Sequence, residues 1–133
     1  MVLVCVTDQE SCGRLIDAGK KLADITENQL KVICVRPRRT EFWFGSDEVE
    51  YLFNYSKKLG AEMIIIFHDY AVEAVVEYLH NNDVQYVIVG MPPDLGQSIF
   101  ISGLEEKFPQ LPVITLGETG QMQLVPAYDE KLQ

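Results

Sequence analysis

Apolar residues in this chain gather into five short uninterrupted runs, and between the runs they recur every three or four positions. Val2 to Val6 is the first run, β-branched and without a polar break, as a strand covered on both faces requires. Thr7 and Glu10 then stand at capping-box spacing, and Cys12, Leu15, Ile16, Gly19, Leu22 and Ala23 follow at helical intervals. Leu30 to Val35 repeats the strand pattern, and Pro37 ends it. Ser46 or Asp47 is placed to cap a second helix with Val49, Leu52, Phe53 and Leu59 on its apolar face and Gly60 at its end. Met63 to Phe67 predicts a third strand. Asp69 is placed to cap a third helix with Val72, Val75, Val76 and Leu79 inward, closed by Asn81 and Asn82. Tyr86 to Val89 predicts the fourth strand, Ser98 to Phe108 a short fourth helix, and Pro112 to Leu116 the fifth strand.

Strict alternation of strands and helices, with each strand apolar throughout, predicts a single-domain α/β fold: an open, doubly wound parallel sheet with helices on both faces. Right-handed crossovers leave few topologies. In such a sheet a ligand crevice opens beyond the carboxyl ends of the strands, where the winding direction reverses. The loops that could line it are Thr7 to Gln9, Arg36 to Gly45, His68 to Asp69 and Gly90 to Gln97. Residues 1–117 form the expected domain, and 118–133 a tail. Within the tail Met122, Leu124 and Val125 suit one more short strand at a sheet edge, and an unpaired edge is a plausible homodimer surface.

Composition narrows the partners. With 133 residues and 47% hydrophobic content the chain can bury a real core. Its formal net charge of −9 repels extended DNA or RNA at long range, so no nucleic acid partner is expected. No apolar run is long enough to cross a bilayer and the start lacks a signal pattern, so a cytoplasmic location without membrane contact is expected. Cys5, Cys12 and Cys34 lack metal or redox spacing and read as small buried hydrophobes.

The segment from Gln85 to Gly103 carries the most chemistry. Glycines and prolines directly behind a strand, followed by Ser98 at a helix start, describe a loop whose amides can cradle an anion. That loop, the run Val2 to Val6 with its helix, and Leu111-Pro112-Val113-Ile114 together resemble the universal stress protein family over nearly the whole chain, from Val2 to Leu116. Val35-Arg36-Pro37-Arg38-Arg39 and Ala71 to Tyr78 look most like the stress-type domain of potassium-responsive sensor histidine kinases, here without a kinase domain. The resemblance implies a Rossmann-like sheet of five parallel strands in the order 3-2-1-4-5, often dimeric, and in some members adenine-nucleotide binding. Nucleotide-binding members follow the fourth strand with glycine, two residues, glycine, nine residues, then glycine and a small hydroxyl residue. Counted from Gly90, the second glycine position holds Pro93, which has no amide hydrogen, the third holds Gly103, and the hydroxyl position holds Leu104. The family's acidic residue after the first strand aligns with Thr7, one place before Asp8.

The candidate nucleotide- or phosphate-binding residues are therefore Thr7 and Asp8 after the first strand, Val35, Arg36 and Arg38 around the second, and Gly90, Met91, Gly96, Gln97, Ser98 and Gly103 around the fourth. Arg36, Arg38 and Arg39 form the one dense basic cluster, with a fork geometry suited to phosphate oxygens; a solvated loop balancing Glu41, Asp47 and Glu48 explains it equally well. Phe42, Trp43 and Phe44 follow, and three consecutive aromatics cannot all enter one core. Asp8 and Asp69 read first as helix caps, His68 as a loop residue.

The expected function is a non-enzymatic regulatory domain that binds an adenine nucleotide such as ATP or AMP, a cyclic dinucleotide or a related phosphate compound at the crevice between the first and fourth strands. The alternative is a module of the same fold with a degenerate pocket, contacting a regulatory protein partner or a second copy. A phosphoacceptor receiver would need a lysine after the fifth strand, where Leu116-Gly117-Glu118 has none. No ordered serine, histidine and aspartate set, thiolate beside a base, or full metal set supports catalysis.

Overall fold

The computed structural model describes residues 1–7, 10–38, 47–90, 99–117 and 120–125. Within them lie strands β1 (Val2–Val6), β2 (Leu30–Arg36), β3 (Glu62–Phe67), β4 (Tyr86–Gly90), β5 (Val113–Leu116) and β6 (Met122–Val125), and helices α1 (Gly13–Thr26), α2 (Asp47–Lys58), α3 (Ala71–Asn81) and α4 (Ile99–Lys107). All six strands join one sheet in the order β3-β2-β1-β4-β5-β6. The first five are parallel, as expected, and β6 returns antiparallel along β5. The sheet therefore has the five parallel strands expected and, at its edge, the short strand expected of Met122, Leu124 and Val125. A short turn suffices for an antiparallel return, whereas another parallel strand would need a crossover.

The uninterrupted apolar runs follow from burial on both faces. Val2, Val4, Val6, Val32, Cys34 and Ile88 point to the layer filled by Leu15, Ile16 and Ala23 of α1 and Val49 and Leu52 of α2. Leu3, Ile33, Val87, Val89 and Val113 point to the opposite layer, against Val75 and Leu79 of α3 and Ile101 and Leu104 of α4. Alternate residues of one strand thus serve two cores. Two glycines set helix distances. A Cβ on Gly19 of α1 would stand 2.4 Å from Val4 Cγ2 and 2.9 Å from Leu30 Cδ1, and one on Gly103 of α4 would stand 2.7 Å from Val72 Cγ1 of α3.

Helix starts depart from the sequence pattern at two places. A 3-10 turn, Glu10–Cys12, precedes α1, whose N-cap is Cys12 without a side-chain cap bond, so α1 itself starts later than the Thr7 and Glu10 spacing predicts. Thr7 Oγ1 instead lies 3.4 Å from Cys12 Sγ. For α3 the N-cap is Tyr70 rather than Asp69, again without a side-chain cap bond. Asp69 Oδ1 accepts from the Arg38 amide at 3.0 Å, a tertiary donor that outcompetes the local one. On α2 the buried stripe is Val49, Leu52 and Ser56, while Phe53 is 44% exposed. Ser56 is admitted because its Oγ donates to Leu52 O at 2.8 Å. Gly60 ends α2 as expected, with φ of +79°.

Candidate functional site

Chain winding reverses between β1 and β4. Helices α1 and α2 cover one face and α3 and α4 the other, the arrangement in which parallel sheets bind ligands beyond the carboxyl ends of the strands that flank the reversal. Val2 pairs with Tyr86, Leu3 with Val87 and Val4 with Ile88, and the registered pairing ends there. Thr7, exposed, follows the carboxyl end of β1, and Gly90 is the carboxyl end of β4. Of the expected residues, these two lie at the carboxyl ends of adjacent strands.

Gly90 is the last residue of β4 and pairs with Leu116 of β5. Among the described residues a Cβ on it would meet only Leu15 Cδ1 of α1, at 3.8 Å, an ordinary contact. Leu104, at the family's hydroxyl position, is fully buried in the second core and presents nothing to a ligand. Gly103 packs against Val72, so helix contact by itself accounts for a glycine there. Asp8, Met91, Gly96, Gln97 and Ser98, together with Pro93, Arg39 and the aromatics Phe42, Trp43 and Phe44, lie outside the described residues.

Arg36 and Arg38 belong to a different corner. Arg36 ends β2 opposite Phe67 of β3, and Val35 is half-buried against the second core. The Arg38 amide is taken by the Asp69 carboxylate, and His68 Nδ1 accepts from the Tyr70 amide at 2.9 Å. The His68 and Tyr70 rings meet edge to face, 6.2 Å between centroids. An amide and a positive neighbourhood that an anion would use are thus already occupied by a carboxylate of the same chain.

Sequence reasoning passed over Arg14. This second residue of α1 is half-buried, and its Nη1 donates to Gly117 O at 2.7 Å and Leu116 O at 3.4 Å, at the carboxyl end of β5. Arg14 thus reaches past the exit of β4, since Leu116 is the register partner of Gly90. One signal was available: a cation in a helix's first turn opposes the helix dipole and so asks for a tertiary reason.

Cys5, Cys12 and Cys34 form no disulfide, and burial pushes the Cys5 thiol up to about 12, which keeps it protonated. Among the described residues no group of three or more histidine, cysteine, aspartate or glutamate side chains is placed to hold a metal. No described helix is long and apolar enough to cross a membrane.

No protein-family model and no curated protein sequence matches this chain. Solved structures do. A universal stress protein from Archaeoglobus fulgidus superposes with a TM-score of 0.67 at 16% identity, covering 86% of this chain and 90% of its own. A universal stress protein in complex with cAMP gives 0.66 at 14% identity, with 87% and 94% covered. A protein of the universal stress protein family from Burkholderia pseudomallei gives 0.61 at 10% identity, with 86% and 93% covered. The chain has the fold of the universal stress proteins.

Proposed function

We propose that this chain is a member of the universal stress protein superfamily and serves as a regulatory, non-enzymatic domain that binds an adenine nucleotide or a related phosphate compound above β1 and β4. The observation that carries the reading is the reversal of winding between these two strands, with Thr7 and Gly90 at their carboxyl ends. A structure of the same fold holds cAMP. ATP, AMP and cyclic nucleotides are the compounds to try first, in a cytoplasmic setting. Residues 1–117 form the binding unit, and the segment from 118 contributes its edge strand.

Thermal unfolding of the purified chain with ATP, ADP, AMP, cAMP and cyclic dinucleotides tests this reading. A ligand at a hundred times its dissociation constant stabilises by about 2.7 kcal/mol, and Gly90→Val, which fills the space beside Leu15, is expected to remove the response. No response to any of these compounds overturns the reading.

One observation favours the alternative of an interaction module. Met122 and Leu124 on the edge strand β6 are 51% and 60% exposed, an apolar edge of the kind that pairs with a second copy or a protein partner. Light scattering of the wild-type chain and of Leu124→Lys distinguishes it: a homodimer that the charge dissociates supports the module, and a monomer in both removes the second-copy form.

A further inference from the structure

We propose that Arg14 is the phosphate-reading residue of the β1/β4 crevice, so that the cation for the ligand's anionic group comes from α1 and not from the basic cluster at Arg36 to Arg39. The proposal rests on the nucleotide-binding reading above and assigns the charge within it.

Three observations converge on Arg14. Its position is the first: the guanidinium is anchored on Leu116 O and Gly117 O, and Leu116 is the partner of Gly90, so the group stands at the carboxyl ends of β4 and β5. The second is its unspent chemistry. Both anchoring bonds use Nη1, and among the described residues Nε and Nη2 have no acceptor and no carboxylate pairs with the charge. Carbonyl oxygens orient a guanidinium without neutralising it, and the free edge retains the two-donor fork that matches phosphate oxygens. The third is the local field: α1 has no acidic residue in its first turn, so the positive end of its dipole adds to the Arg14 charge.

The competing basic corner already holds a carboxylate: Asp69 Oδ1 accepts from the Arg38 backbone amide, so an anion there meets a negative charge, and Arg36 is engaged within the chain. In a chain of net charge −9 a phosphate needs a local cation not shared with a carboxylate, and the Arg14 edge offers one.

Calorimetric titration of wild type, Arg14→Gln and Arg14→Lys with adenosine, AMP and cAMP tests the assignment. Arg14→Gln is expected to weaken AMP and cAMP about 10- to 100-fold, the loss of charge-assisted bonds, and to leave adenosine within about two-fold. Arg14→Lys keeps the charge but not the fork and is expected to fall between; it decides the matter if the glutamine variant does not fold by circular dichroism. An equal loss for adenosine and AMP overturns the proposal, because it marks Arg14 as a clamp on the β5–β6 turn only. Unchanged AMP binding also overturns it and leaves nucleotide binding standing. A wild-type chain that binds none of the three overturns the nucleotide reading, and the proposal with it.

Discussion

Two corners of the carboxyl edge of the sheet carry arginines, and they differ in what surrounds the charge. Above β2 and β3, Asp69 occupies the Arg38 amide and His68 occupies the Tyr70 amide, so the corner closes on itself. Above β4 and β5, Arg14 is held by two carbonyls, with no carboxylate pairing it among the described residues. The corner richer in arginine by sequence is thus the one where a carboxylate of the chain already sits. A count of basic residues measures charge, whereas binding depends on which donors remain after the fold has used its share.

The largest expected effect tests the platform under the Arg14 corner. Gly19→Ala puts a Cβ where Val4 and Leu30 already stand, and α1, which carries Arg14, must lift; chemical denaturation is expected to show a loss of about 2–3 kcal/mol. A neutral result would mean that the seat of α1 is loose and that the position of Arg14 is not fixed by it. Gly103→Ala is the milder counterpart on the other face, about 1–2 kcal/mol, because it meets the Val72 side chain, and Val72→Ala in the same chain is expected to restore part of the loss. If Gly103→Ala instead abolishes nucleotide binding at unchanged stability, Gly103 is a ligand contact and the crevice extends to α4.

Tyr55→Phe probes the tie between α2 and α1, where the Tyr55 hydroxyl donates to Asp17. Its loss is expected to cost about 0.5–1 kcal/mol at neutral pH. That hydrogen bond also holds the Tyr55 phenol above its ordinary value, so the folded chain keeps this proton more tightly than the unfolded chain. The linked stability is complete below the ordinary tyrosine value of about 10 and is lost as pH rises through the raised folded value. Urea midpoints at pH 9 and pH 11 are expected to fall further for wild type than for Tyr55→Phe, and parallel falls would remove Tyr55 as the cause.

Asp69→Asn is expected to do least. Nucleotide affinity by titration should stay within about two-fold, since the exposed carboxylate lies away from the Gly90 corner. A ten-fold gain in AMP affinity would move the anion seat to Arg36 and Arg38 and reverse the contrast between the two corners.

Much of the fold was legible because burial on both faces writes itself into composition. Val2 to Val6 or Tyr86 to Val89 cannot be half-exposed without a wet apolar face, and Gly60 at the end of α2 follows from its positive φ. The site was less legible. Thr7 and Asp69 have the side chains of helix caps, yet Cys12 and Tyr70 occupy the cap positions, because a 3-10 turn and a tertiary amide intervened. Phe53 lies on a helical face by count but outside the buried stripe, which Ser56 enters by bonding its own helix.

By itself the sequence determined the five apolar strands and the helices between them, since hydrophobic periodicity is local and each element reports its own burial. Only the tertiary structure decided that the expected edge strand of the tail runs antiparallel along β5, that Gly103 packs against Val72, and that Arg14 is anchored on the β5 carbonyls while Asp69 takes the Arg38 amide. Each of these depends on a partner far along the chain: Arg14 meets Gly117 and Arg38 meets Asp69. Which distant group arrives first to satisfy a donor is a property of the packed molecule, not of any segment.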